Sequence, residues 1–212
     1  IAAHLSSYAD ETSAKGLFPR SLVLAFEHKQ GLRYGENPHQ AAAFYAEPGA
    51  GPDCLAGGRV LQGKELSYNN ILDLDAALAC VREFSLPAAV VVKHTNPCGA
   101  ATDENDLVLA YQRAHETDPV SAFGGIVAFN RPVDAALAGA LSETFLECIV
   151  APSFADDALS VLAKKKNLRL VVVAVTVSAD AAAAWAVRSV SGGLLVQSID
   201  DARAAKDVRT VS

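Results

Sequence analysis

The run AAVVV at residues 88–92 reads as a strand buried in a core, yet it ends on two adjacent basic side chains, Lys93 and His94, followed by Asn-Pro-Cys-Gly. Such a pair either marks where the strand reaches water or faces a substrate. A second group of chemically capable residues lies upstream in LRYGENPHQ (32–40), where Arg33, Tyr34, Asn37 and His39 crowd a Gly/Pro loop. An arginine there suits bidentate recognition of a phosphate or carboxylate; the plainer reading is a surface loop. A third is TDPVSAFGGIVAFN (117–130). Its SAFGG allows close backbone approach to a ligand, or else forms a tight turn beside a core Phe.

Two further chemistries compete for these residues. A histidine followed closely by Pro-Cys suggests a zinc deaminase, which needs His-x-Glu and Pro-Cys-x-x-Cys. Here Thr95 and Asn96 follow His94, and position 101 is Ala, so the zinc set is absent and no metal is expected. Cys98 as a nucleophile would have His94 as a nearby base but lacks a third, orienting group; a turn cysteine is the plainer reading. The basic run AKKKN (163–167) reads as a solvated helix end, where cations favour the dipole.

The elements that must position these residues alternate. Strands are expected at SLVLAFE (21–27), AAAFYA (41–46), 88–92, GGIVAFN (124–130), CIVAP (148–152) and LRLVVVAV (168–175). Helices are expected at 69–84, with an Asn at its start as cap, at 104–116, at PVDAALAGALSETF (132–145) and at FADDALSVLAKKKN (154–167). At least four strand–helix units argue for α/β architecture with a largely parallel sheet covered on both faces, and the unbroken valine runs fit strands buried on both sides. SADAAAAWAVRS (178–189) is a short helix or a connection, GGLLVQS (192–198) a last strand, and 201–212 no clear element. Ligands of open parallel sheets sit beyond the carboxyl ends of strands. Lys93 and His94 lie at such an end, and Asn96-Pro97-Cys98-Gly99 supplies the turn chemistry that brings both to one ligand.

The 212 residues suffice for one domain with a real core. Hydrophobic residues make up 51% and charged residues 20%, which excludes a disordered chain. The net charge of −6 gives no reason to expect nucleic-acid binding. No apolar run reaches the length of a membrane span, and the first residues lack the pattern of a signal peptide. Cys54, Cys80, Cys98 and Cys148 form no C-x-x-C pair, which favours a reduced, cytoplasmic protein. The sequence holds no Met and reads as a piece of a longer protein.

Taken together, LRYGENPHQAAAFY, QGKELSYNNILDLDAAL, VVKHTNPCGAA, TDPVSAFGGIVAFNRPVD, APSFADDALSVLAKKKNLRL and SGGLLVQ, in that order, resemble the AICAR transformylase domain of the bifunctional AICAR transformylase/IMP cyclohydrolase family of purine biosynthesis. The resemblance runs from about Phe18 onward and covers the first part of that domain; residues 1–17 are taken as a remnant of the linker from a preceding domain. It implies a cytidine-deaminase-like three-layer α/β/α fold with a largely parallel or mixed sheet, and no zinc. The implied activity is formyl transfer from the cosubstrate 10-formyltetrahydrofolate to the 5-amino group of AICAR, giving FAICAR. By the resemblance, His94 is the proton acceptor and Lys93 the transition-state stabiliser. Arg33, Tyr34, Gly124 and Glu147 fall at nucleotide-binding positions, with Asn70 and Lys166 as weaker matches. The implied partners are AICAR and folate, with a homodimer in the full-length protein.

The cyclohydrolase domain and the second part of the transformylase, which in the family supplies an Asn and an Arg to the nucleotide and most folate contacts, lie outside this sequence. The chain alone is therefore expected to be impaired in transfer. The alternative is a non-catalytic fragment that binds AICAR or a related nucleotide through Arg33 and Tyr34.

Overall fold

The computed structural model describes residues 18–175 and 185–200. These fall in two units. In the larger, a hairpin of β1 (Glu27–Leu32) and β2 (Ala42–Ala46) is followed by β3 (Arg59–Gln62), helix α1 (Tyr68–Arg82), β4 (Ala88–Lys93) and β5 (Asn96–Thr102). Helix α2 (Leu107–Thr117) and the single turn α3 (Pro119–Ala122) lead to β6 (Gly125–Phe129), α4 (Ala135–Glu143), β7 (Leu146–Ala151), α5 (Asp156–Leu162) and β8 (Arg169–Val172). The smaller unit is an antiparallel hairpin, β9 (Trp185–Val190) with β10 (Gly193–Ser198).

Six strands form one sheet in the order β3-β8-β7-β6-β4-β5. The β6–β7 and β7–β8 pairings are parallel, as strand–helix–strand crossovers demand. The β3–β8, β4–β6 and β4–β5 pairings are antiparallel. The sheet is therefore mixed rather than largely parallel. Only α4 and α5 serve as parallel crossovers, whereas β5 returns from β4 through a two-residue turn.

The alternation of side chains along the central strands splits the core in two. On one face Leu74, Leu78 and Val81 of α1 pack on Val90, Val92, Ile126 and Val150. On the other, Ala110 of α2, Leu137 and Leu141 of α4 and Leu162 of α5 pack on Val91, Val127, Ile149 and Leu170. A sheet clothed on both faces has no polar side, which is why residues 88–92 of β4, 125–129 of β6 and 148–151 of β7 read as continuous apolar runs. This is a three-layer α/β/α sandwich.

Several sequence expectations shift. The 21–26 part of SLVLAFE forms no strand; Phe26 is 46% exposed, and pairing begins only where Glu27 meets Ala46. Helix α1 is capped by Ser67 rather than by an Asn. The Ser67 side chain accepts from the Asn70 amide at 3.1 Å and the Asn70 side chain accepts from the Ser67 amide at 3.2 Å, a complete capping box. Asp106 and Asp134 cap α2 and α4, so both begin later than their apolar periodicity suggests. The hairpin β9–β10 replaces the alternative of a short helix at 185–189, while residues 178–184 and 201–212 lie outside the described residues, as do 1–17. Among the described residues no helix is long and apolar enough to cross a membrane.

Candidate active site

Because β4 runs antiparallel to β6, its carboxyl end lies beside the amino ends of the parallel strands β6, β7 and β8. The rule for open parallel sheets, applied to β6, β7 and β8, points to the opposite end of the sheet. Lys93 and His94 stand where β6, β7 and β8 begin.

The turn itself also differs from expectation. Lys93 pairs with Asn96, leaving His94 and Thr95 as the two loop residues, with φ of 52° and 62°. Asn96, Pro97, Cys98 and Gly99 already belong to β5. Pro97 is tolerated there because β5 is the edge of the sheet. The register slips by one residue between Val91 and Val92, a bulge of the kind that re-aims side chains beside functional sites.

The Lys93 ammonium is half-buried and cradled by two carbonyls, at 2.8 Å from Gly124 O and 3.3 Å from Phe123 O. An ammonium carries three N–H groups, so one is left to donate. Among the described residues no ion pair joins it to a carboxylate, and the Arg113–Asp103 pair lies elsewhere. Gly124 is fixed by the same arrangement. Its φ is +70°, and a Cβ would stand 3.1 Å from Lys93 Nζ and 3.3 Å from the Phe145 ring. Its amide donates to Phe145 O at 2.8 Å, so only the carbonyl's second lone pair is left for another partner. His94 is exposed, and among the described residues no hydrogen bond holds either ring nitrogen. Its backbone is held tightly. The amide donates to Asp73 Oδ2 at 3.3 Å, and the carbonyl accepts from Thr95 Oγ1 at 2.7 Å and Asn96 Nδ2 at 2.8 Å.

Asn70 and Glu147 meet at the same end. Asn70, 3% exposed, donates from Nδ2 to Glu147 Oε2 at 2.9 Å, and its cap bond to Ser67 leaves Nδ2 no other orientation. Glu147 also lines an open cleft of about 570 Å³, together with Phe145, Lys164, Lys165, Lys166 and Arg169. The Phe145 ring, which closes on Gly124, joins this cleft to the Lys93 cradle. The lysine run follows the helix end as expected, with Lys164 and Lys166 exposed, and it also lines this open cleft. Helix α5 stops at Leu162, and the following loop is pinned by Gln62, whose Nε2 lies 3.1–3.2 Å from the carbonyls of Leu162, Lys165 and Leu168. Gln62 and Asp73 are the positions that sequence reasoning missed. A polar residue in a short edge strand and one acid among several on a helix carry no signal until the chain is folded.

Arg33 and Tyr34 stand apart from this cluster in their bonding. The Arg33 guanidinium lies 5.7 Å from the Tyr34 ring centre, a cation–π pair. Their loop is closed by its own bonds: the Gly35 amide donates to Gln40 O at 2.8 Å, and the Asn37 amide to Gln40 Oε1 at 2.7 Å. No hydrogen bond or ion pair among the described residues joins Arg33, Tyr34 or His39 to Lys93 or His94. The hairpin is nonetheless tied to the start of α1, since Gln30 Nε2 reaches Leu66 O at 3.4 Å. Cys98 is no activated nucleophile: partial burial, then the Asp118 charge, push its thiol up, and the opposing pull of Lys93 is smaller. Among the described residues, no three His, Cys, Asp or Glu side chains converge as they would around a metal ion.

The fold and this cluster define a three-layer α/β/α domain with a carbonyl-held ammonium, a free imidazole and a lysine-rich cleft at one end of its sheet. The AICARFT/IMPCHase bienzyme family model matches residues 1–212, and the chain belongs to that family. It is similar to two proteins named bifunctional purine biosynthesis protein PurH. One, from Sorangium cellulosum (strain So ce56), is 53% identical over 215 residues, covering 99% of this chain and 41% of that protein. The other, from Magnetococcus marinus (strain ATCC BAA-1437 / JCM 17883 / MC-1), is 52% identical over 195 residues, covering 92% of this chain and 37% of that protein. The chain thus spans about 40% of the length of these relatives.

Proposed function

We propose that this chain carries the proton-accepting half of a site that transfers a formyl group from 10-formyltetrahydrofolate to the 5-amino group of AICAR, a step of purine nucleotide biosynthesis. The observation that supports it most is the pairing of an unrestrained imidazole, His94, with an ammonium, Lys93, that keeps one N–H to donate. The AICAR amine is conjugated to an electron-poor ring and is a weak nucleophile. As it attacks the formyl carbon, neutral His94 takes its proton, and a positioned base of this kind gives ~10²–10⁴-fold. The C–N bond forms while the carbonyl electron pair moves to oxygen, where the remaining Lys93 N–H meets the oxyanion. Collapse of that intermediate expels N10 of the folate, which takes up a proton. The products are FAICAR and tetrahydrofolate.

Arg33 and Tyr34 would bind the nucleotide's anionic or carboxamide region. Glu147, oriented by Asn70, would accept hydrogen bonds from its polar groups through the oxygen that Asn70 leaves free, and Lys166 in the cleft suits a phosphate. Gly124 would offer its carbonyl. No zinc enters this chemistry. The homodimer and the folate contacts belong to the full-length protein, and a cytoplasmic location fits the free thiols.

The test is calorimetric titration with AICAR of the chain and of Arg33→Ala. Turnover is then measured with the remaining length of a PurH relative supplied, with and without His94→Ala. Binding lost in Arg33→Ala, and turnover restored only with His94 intact, are expected. Turnover indifferent to His94→Ala would end the general-base assignment; binding without any turnover would favour the non-catalytic fragment.

A further inference from the structure

We infer that Asp73 is the positioning residue for His94, holding in place a hairpin turn that its own sequence disfavours; this rests on the transfer reading above. Two-residue hairpin turns with positive φ at both central residues are normally built from Asn-Gly, Asp-Gly or Gly-Gly. Here they are His94 at 52° and Thr95 at 62°. A β-branched residue in that region is a genuine outlier, because its Cβ crowds the following carbonyl. Such backbone persists only where the surroundings over-determine it, and it gathers at functional sites.

Asp73 is the determinant that comes from outside the turn. Its Oδ1 accepts the Thr95 amide at 2.7 Å and its Oδ2 accepts the His94 amide at 3.3 Å. The other restraints on the His94 backbone, from Thr95 Oγ1 and Asn96 Nδ2, arise within the turn and β5 and move with them. One carboxylate thus fixes both strained residues to a helix. Asp73 lies three residues after Asn70, on the same face of α1. The first two turns of α1 therefore orient Glu147 through Asn70 and the imidazole-bearing turn through Asp73. A site carried on a helix packed against the sheet is held more closely than one on a free loop.

The experiment has two arms. Amide hydrogen exchange compares the chain with Asp73→Ala and Asp73→Asn. In Asp73→Ala the His94 and Thr95 amides should exchange about tenfold faster or more, while the Val90 and Val91 amides stay protected, which separates a loosened turn from an unfolded chain. Asp73→Asn, which keeps one carbonyl acceptor, should fall between. In the second arm, formyl transfer is measured with the rest of the relatives' length supplied. Asp73→Ala should lower kcat by about 10–100-fold and change KM for AICAR far less, since the base is misplaced rather than the nucleotide lost. Adding Thr95→Gly should then recover much of kcat, because glycine adopts the left-handed turn unaided. Unchanged exchange at both amides would overturn the inference, as would a kcat defect that Thr95→Gly leaves untouched. Absence of transfer by the unmutated protein would instead refute the reaction, and the exchange arm would still decide whether Asp73 holds the turn.

Discussion

Asn70 on α1 and Glu147 on β7 are joined by a 2.9 Å hydrogen bond across the end of the sheet, and the same Asn70 side chain closes the cap of its own helix. Replacing it by Ala removes half of the capping box and strips Glu147 of its donor. A loss of about 1–3 kcal/mol is expected by denaturant unfolding. Asn70→Asp should be worse than Asn70→Ala at neutral pH, where two carboxylates face each other, and the difference should shrink in acid as one takes up a proton. Equal stability of the two variants across pH would mean that Asn70 and Glu147 do not meet.

Gly124→Ala combines two penalties. The left-handed backbone at φ +70° costs any L-residue about 1–2 kcal/mol, and the new methyl stands 3.1 Å from Lys93 Nζ. The variant should unfold at lower denaturant, and in the completed protein kcat should fall with the displaced ammonium. A variant as stable and as active as the parent would refute this account of the cradle.

Cys148 lies fully buried on β7, and burial pushes its thiol up to about 12. At pH 8 the thiolate is scarce there, on top of the steric block. Alkylation mapped by mass spectrometry should label the partly exposed Cys54, Cys80 and Cys98 first and Cys148 only on unfolding. Labelling of Cys148 at the rate of the other three in the native protein would contradict its burial.

Asp103 accepts the amides of Asn105 and Asp106 and pairs with Arg113 at 3.1 Å; these bonds hold its carboxyl below the ordinary value. The folded state therefore binds fewer protons than the unfolded one between the two pKa values. The stabilisation is full above the unfolded value of about 3.9 and disappears as pH falls through the folded one. Melting curves of the chain and of Asp103→Ala should differ at pH 6 and converge near pH 2. A constant gap over that range would exclude ionic anchoring by Asp103.

The valine runs revealed which strands are central, because a strand covered on both faces leaves no polar positions. The same property hides their direction: a continuous apolar run reads alike whether its neighbour is parallel or antiparallel, so the reversal of β4, and with it the end of the sheet that carries Lys93 and His94, is not legible in the run. Pro97 and Gly99 marked β5 as a turn, since sequence alone does not distinguish an edge strand that tolerates proline from a loop. SLVLAFE has strand propensity, but 21–26 find no partner among the described residues. At the site, Lys93 and His94 announced themselves by type and place. Asp73 did not, because nothing in the spacing of Asp73 and Asp75 tells which of them meets a turn twenty residues away.

A hairpin whose two turn residues hold positive φ without a glycine gains little from its own turn sequence. An Asn-Gly turn draws its strands together within microseconds. For β4 and β5 the turn draws its outside support from α1, through the Asp73 carboxylate. The turn bearing the imidazole is therefore expected to gain amide protection only with α1 in place, which hydrogen exchange during refolding would check. Where Asp73 is out of reach, Lys93 and His94 lose the outside anchor that holds them to one geometry.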